Sequence, residues 1–172
     1  YIIALILITA LMVVFLGSWK VGLLSMIPNL TPILITLGLM GFFDLPLDPF
    51  TILIGSIGIG LVVDDTVHFL SVFQRYFDRY GDAARAIQET LMTTGKALLF
   101  TTLILVGGFA SYMAADFVNI FAFGMLLVVC IGSALILDVL AAPALMMLVY
   151  GKQSSVEQPR AYQKESGFAE LN

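Results

Sequence analysis

Gly58-Ile-Gly-Leu-Val-Val-Asp-Asp-Thr-Val-His68 sets two adjacent acids and the chain's single histidine inside a run that is otherwise apolar. Apolar residues lead into it from Phe50 and continue through Phe73. An ionised carboxylate near the centre of a bilayer costs about 2.5–3.5 kcal/mol on insertion scales. Acids in such a place are functional candidates by default, so Asp64 and Asp65 come first and the remaining chain is scaffold around them.

Composition places that scaffold in a membrane. Of 172 residues, 60% are hydrophobic and 12% are charged, against about 25% charged in a soluble domain. The mean hydropathy is +1.02. The apolar runs are continuous rather than alternating with a period of two, which predicts an all-α integral membrane protein and not a barrel. One cysteine, Cys130, lies in an apolar run, so there is no disulfide framework and the thiol is expected to be a small buried hydrophobe. Tyr1 follows no initiator methionine, and Lys20 comes after the first apolar stretch rather than before it, the wrong order for a signal peptide. The expectation is a fragment that begins inside, or at the edge of, a membrane helix.

Measured against the roughly 20 residues that a bilayer requires, the sequence predicts five spans, at about 1–16, 21–43, 50–73, 97–115 and 120–150. Together they make a membrane domain over 1–151. Trp19 and Lys20 are interface anchors in the first turn. Pro28 and Pro32 remove backbone donors and kink the second span near its start. Gly81 breaks the chain, Asp82 is placed to cap a new helix, and an amphipathic helix of about 82–94 is expected along the membrane surface. The polar stretch 152–172 has little to bury and is expected to be a disordered tail. All eight basic residues fall on one side of this alternation, whereas Asp44, Asp48 and Asp116 fall on the other. The positive-inside rule then puts the N-terminus outside and the C-terminus in the cytoplasm.

Residues three and four apart share a helix face, so Ser56, Gly60, Asp64, His68, Ser71 and Arg75 form one stripe, flanked by Asp65 about 100° round. Gly58 and Gly60 allow close helix packing. The stripe is expected to face protein or a water-filled cavity, never lipid. Two carboxylates this close do not both ionise easily in a dry site and share protons as a coupled pair, which suits a proton carrier, with His68 one turn on able to relay or tune the proton. The structural alternative is that the acids merely bond neighbouring helices. A metal site built from Asp64, Asp65 and His68 lacks a second histidine or a thiol cluster. Asp138, in the fifth span, is either a second polar partner in the same cavity or a helix–helix hydrogen bond near Pro143. Thr101 and Thr102 either bond back to their own helix or face the acids, in a span that packs through Gly107, Gly108 and Ala110. Enzyme signatures are missing: Gly60 precedes Leu61 rather than completing a Gly-x-Gly-Asp motif, and there is no Gly-x-Ser-x-Gly elbow and no phosphate loop.

Gly60-Leu-Val-Val-Asp-Asp65, a Gly-x-x-x-Asp-Asp pattern in a central membrane helix, resembles the RND superfamily, and within it the MMPL, Patched and sterol-sensing-domain branch. The phrase from Gly58 to Phe69 is similar to bacterial exporters of that branch. Tyr80-Gly-Asp-Ala-Ala-Arg-Ala-Ile87 resembles its cytoplasmic connecting helix. Thr93-Thr-Gly-Lys-Ala97 with Thr101-Thr102 and Gly108-Phe109 resembles its next span, and Leu137-Asp138 with Ala142-Pro-Ala-Leu145 its last. Pro28-Asn-Leu-Thr-Pro32 resembles its second helix, so the likeness runs from Gly22 to Gly151. The resemblance implies a five-helix half of a larger twelve-helix transporter in the bacterial inner membrane. The tail suggests the second repeat, a one-repeat protein being the alternative. It implies proton-driven export of lipids or other hydrophobic compounds, with Asp64 and Asp65 as the relay. The implied partners are membrane lipids, a hydrophobic substrate, protons, the first repeat with the extracytoplasmic domains, and a homo-oligomer, with no cofactor and no nucleic acid. A lipid- or sterol-sensing module without transport shares the same bundle and is the alternative function.

Overall fold

The computed structural model describes the backbone of residues 2–16, 19–46 and 48–169 and most side chains among them as far as Gly151. Seven α-helices follow one another: α1 (Ile2–Leu16), α2 (Trp19–Leu24), α3 (Met26–Phe42), α4 (Pro49–Tyr80), α5 (Ala83–Thr90), α6 (Lys96–Ala110) and α7 (Val118–Ala169). A π-helical turn, Leu91–Gly95, joins α5 to α6, and a 3-10 turn, Ser111–Ala114, follows α6. Among the described residues there is no strand.

Four helical stretches are long and apolar enough to cross a membrane: Gly22–Phe42, Thr51–Tyr80, Ala83–Ala114 and Val118–Gly151. α1 is apolar but has 15 residues, about 22 Å of helix, which is short for a span. The outer surface carries large apolar side chains such as Phe100, Leu103, Ile104, Leu140 and Leu148 in full exposure. In water these would be a severe aggregation hazard, whereas against lipid they are at home. The molecule is thus an all-α integral membrane bundle.

Local chemistry explains where the helices start and stop. Pro28 and Pro32 have no N–H, so Leu24 and Pro28 lose the donors that an unbroken helix would supply. The chain breaks at Ser25, between α2 and α3, and nearby hydroxyls bond back along the chain: Ser25 donates to the Gly22 carbonyl at 2.8 Å, and Thr36 donates to the Pro32 carbonyl at 2.8 Å. α4 begins with a capping box. The Thr51 N–H donates to Asp48 Oδ1 at 2.8 Å, the Asp48 N–H donates to Thr51 Oγ1 at 2.8 Å, and Pro49 takes the first helical position. Asp48→Ala is expected to lower stability by about 1 kcal/mol, read as a shift in the thermal unfolding midpoint. Gly81 ends α4 at φ 64°, a conformation that favours glycine, and Asp82 caps α5 by accepting from the Ala84 N–H at 3.0 Å.

Two features differ from expectation. α4 does not end near Phe73 but continues as helix to Tyr80. The amphipathic helix expected over about 82–94 begins as α5, which runs on through the π turn into α6 as one stretch of 32 residues to Ala114. Its apolar side, Ala83, Ala86, Ile87 and Thr90, is buried. The helix of the last span is drawn to Ala169, and the tail over 152–172, expected to be disordered, has its side chains outside the described residues.

The core has three parts. Phe69, Leu70 and Phe73 of α4 pack with Met12, Ala86, Ile87, Leu98, Ala142 and Met146, drawing in α1, α5, α6 and α7. Nearby, Phe77 and Phe73 lie against Tyr150, with ring centroids 4.7 Å and 5.4 Å apart, so α4 and α7 come together at this end of the bundle. Met40, Ile54, Leu126 and Leu127 fill the opposite end. Val62, Cys130 and Ala134 lie between. Two glycines set hairpin spacings. A Cβ at Gly22 would lie 2.5 Å from Val13 Cγ2, and one at Gly124 would lie 2.8 Å from the Phe109 carbonyl oxygen. Cys130 is 1% exposed, so a charged thiol reagent should leave the folded protein unlabelled and modify one thiol per chain after denaturation, measured by mass.

Candidate functional site

α4 carries two stripes of the same spacing. Ile54, Gly58, Val62, Thr66, Phe69 and Phe73 are buried against the other helices. Ser56, Gly60, Asp64, His68, Ser71 and Arg75 stand two residues later, about 200° round the helix. Ser56, Gly60, Asp64, His68 and Arg75 are exposed and Ser71 is half-buried. The stripe, expected to face protein or a water-filled cavity, therefore lies on the outside of the described bundle. The small residues divide accordingly. A Cβ on Gly58 would meet Cys130 Sγ at 3.0 Å, so Gly58 does let α7 approach. Gly60, Gly107 and Gly108 have nothing within 4 Å of such a Cβ, so none of the three packs closely within the described residues.

Asp64, Asp65 and His68 lie within about one turn of α4. Asp65 is half-buried and stands next to the buried Thr66. Neither carboxyl of the pair makes a hydrogen bond among the described residues. No group of three His, Cys, Asp or Glu side chains among those residues converges as a metal would need.

Asp138 sits at the middle of a polar cluster that sequence reasoning did not assemble. It is 1% exposed, and its Oδ1 lies 2.7 Å from the Thr66 hydroxyl. The same hydroxyl lies 2.7 Å from Asn29 Oδ1 and 3.2 Å from the Val62 carbonyl. Asn29 Nδ2 donates to the Ser25 carbonyl at 2.9 Å. One residue each from α3, α4 and α7 thus meets in the interior. The signal available was Asn29 itself, an amide in an apolar run, which must find partners when buried. Thr101 is exposed and its hydroxyl donates to the Ala97 and Leu98 carbonyls of its own helix at 3.1 and 3.0 Å. Thr102 is buried and its hydroxyl has no partner among the described residues. Among those residues no hydrogen bond joins either threonine to Asp64 or Asp65, because α6 packs mainly on α7.

On the side of α4 nearer Asp48, an apolar cleft of about 320 Å³ opens between α1, α3 and α4. Leu5, Ile33, Leu37, Ile52 and Ile59 line it, with Cys130 at its back.

The fold is a multi-span membrane bundle with acids on a central helix. The chain belongs to the AcrB/AcrD/AcrF family, whose model matches residues 1–170. Members of that RND-type family are transporters. The chain is also similar to a protein of Methanocaldococcus jannaschii whose name says only that it is a membrane protein, at 27% identity over 127 residues. That match covers 74% of this chain and 33% of the archaeal protein, so the chain spans about a third of that relative's length. No solved structure matches the chain significantly.

Proposed function

We propose that the chain is one membrane half of a proton-motive-force-driven exporter of lipids or other hydrophobic compounds, on the MMPL-like branch, with Asp64 and Asp65 as its proton relay and His68 beside them. The observation that carries this reading is the outward acid stripe. Asp64 stands exposed on a membrane helix with no hydrogen bond among the described residues, and a carboxylate facing lipid is too costly to persist. That face is completed by something polar from outside the five spans, and in a two-repeat transporter the facing helix of the other repeat is the natural cover. Protons then reach the acids along the seam between the halves, where a change of packing can open them to either side in turn.

The basic residues support a cytoplasmic placement of the Arg75 end and an inner-membrane location, with the C-terminus inside. The apolar cleft suits an acyl chain or a fused-ring lipid, and it equally favours the second reading, a lipid-sensing module without transport. Reconstitution of the whole protein in proteoliposomes under an imposed pH gradient separates the two. Proton flux that rises when a hydrophobic extract is supplied is the expected result. Saturable lipid binding with no flux under any lipid would replace export by sensing.

A further inference from the structure

We propose that Asp138 is a buried proton-binding site in its own right: a neutral carboxylic acid that donates to Thr66 and, through it, fastens α3 to α4 and α7. Proton counting carries this. Oxygen–oxygen separations of 2.7 Å are hydrogen bonds, and each needs one proton between its atoms. Thr66 Oγ1 makes two such contacts, to Asn29 Oδ1 and to Asp138 Oδ1, but a hydroxyl has one proton to give. Asn29 cannot supply the second, because its Nδ2 donates to the Ser25 carbonyl. Turning the amide over would set two acceptor oxygens 2.9 Å apart with no proton between them. The second proton therefore sits on Asp138. The order is Asp138 O–H to Thr66, and Thr66 O–H to Asn29.

The surroundings agree. The other carboxyl oxygen, Oδ2, is buried without a partner, a tolerable lot for the carbonyl of an acid and an expensive one for a charged carboxylate. No cation among the described residues offsets a charge there. α3 brings no ionisable residue, α6 brings only exposed Lys96, and α5 brings Arg85 and Glu89. α4 brings Asp64, Asp65 and His68 on the turn that carries Thr66.

Loss of the proton changes the contacts in a defined way. The Asp138 O–H bond breaks, the electron pair stays on the carboxylate, and the proton passes to a water molecule admitted to the site. The Thr66 hydroxyl then swings to the new charge, and Asn29 Oδ1 is left facing an oxygen with nothing between. α3 loses its tie at the point where α2 and α3 are already broken at Ser25. Proton occupancy at Asp138 is thereby converted into the docking of one helix. The hydrogen-bond geometry supports this whether or not the protein exports anything.

The test is infrared spectroscopy of the whole protein in lipid at pH 7, comparing wild type, Asp138→Asn and Thr66→Val. The wild type should show the C=O band of a protonated carboxyl. Asp138→Asn, whose amide still donates to Thr66, should lose that component and keep its fold. Thr66→Val removes the acceptor and should move the band to higher frequency, and Thr66→Ser should restore it. A wild-type spectrum without a protonated-carboxyl band would overturn the proposal without any variant. So would a band that is the same in folded Asp138→Asn. Should Asp138→Asn fail to fold, a band unmoved by Thr66→Val would have the same force.

Discussion

Asp64→Asn and Asp65→Asn should each lose proton-coupled flux by about 100-fold or more, the scale on which a positioned proton-transfer group acts. Asparagine keeps the size and polarity of the side chain and removes only the titration. Neither carboxyl bonds to another described residue, so the exchange leaves the packing of α4 untouched. The unfolding midpoint should stay near that of the wild type, with a change within about 0.5 kcal/mol for the exposed position. Transport would fall and stability would not. Flux equal to wild type in both variants, in protein shown to be folded, would remove these two residues from any relay. A loss of fold in both would return them to the role of helix–helix bonds.

Gly124→Leu should be the most disruptive single change in the scaffold. The new Cβ would stand 2.8 Å from the Phe109 carbonyl oxygen and 2.8 Å from Tyr112 Cβ. The first of these is backbone within a hairpin of α6, the 3-10 turn and α7, and it cannot swing aside as the end of a side chain can. Overpacking of this kind typically costs about 1–3 kcal/mol, and a branched side chain against backbone belongs at the upper end. Gly22→Leu meets the same obstacle at the backbone of Val13, 2.9 Å from its Cα. The measurement is the yield of monodisperse protein in detergent and its unfolding midpoint, with Gly107→Leu as the control because its Cβ meets nothing within 4 Å. If Gly124→Leu and Gly107→Leu behaved alike, the close approach of α7 to the Phe109 backbone would be wrong.

Much of this architecture is legible in the sequence because membrane helices declare themselves by length and hydropathy. Asp48-Pro49 and Gly81-Asp82 mark the two ends of α4 by capping chemistry that needs no tertiary context. The orientation of α4 is another matter. Its two stripes have the same spacing, and in a membrane the residues that face lipid are as apolar as those that face protein. Polarity alone pointed to the stripe through Asp64 as the packed side, whereas Gly58, Val62 and Thr66 are the ones that meet α7 and α3. The Asn29, Thr66 and Asp138 cluster was hidden for a related reason. Each is a lone polar side chain set in a different apolar run, and only the fold reveals that they are neighbours. Thr101 and Thr102 show the same limit on a small scale: adjacent and chemically identical, one is exposed and bonds to its own helix, the other is buried without a partner among the described residues.

The π turn at Leu91–Gly95 acts as a phase adjuster. Thr90, Thr94, Leu98 and Thr102 are all buried, at strict steps of four. In a regular α-helix each such step overshoots a full turn by about 40°, so three steps would carry the inward face about 120° round. The wider turn absorbs part of that drift, which is how one helix keeps Ala86 and Leu98 in the same core although they lie on opposite sides of the join. The segment beyond the bundle's Arg75 end and the span above it are thereby geared together. Inserting or deleting one residue within Leu91–Gly95 would turn the buried face of α6 by about 100° relative to that of α5.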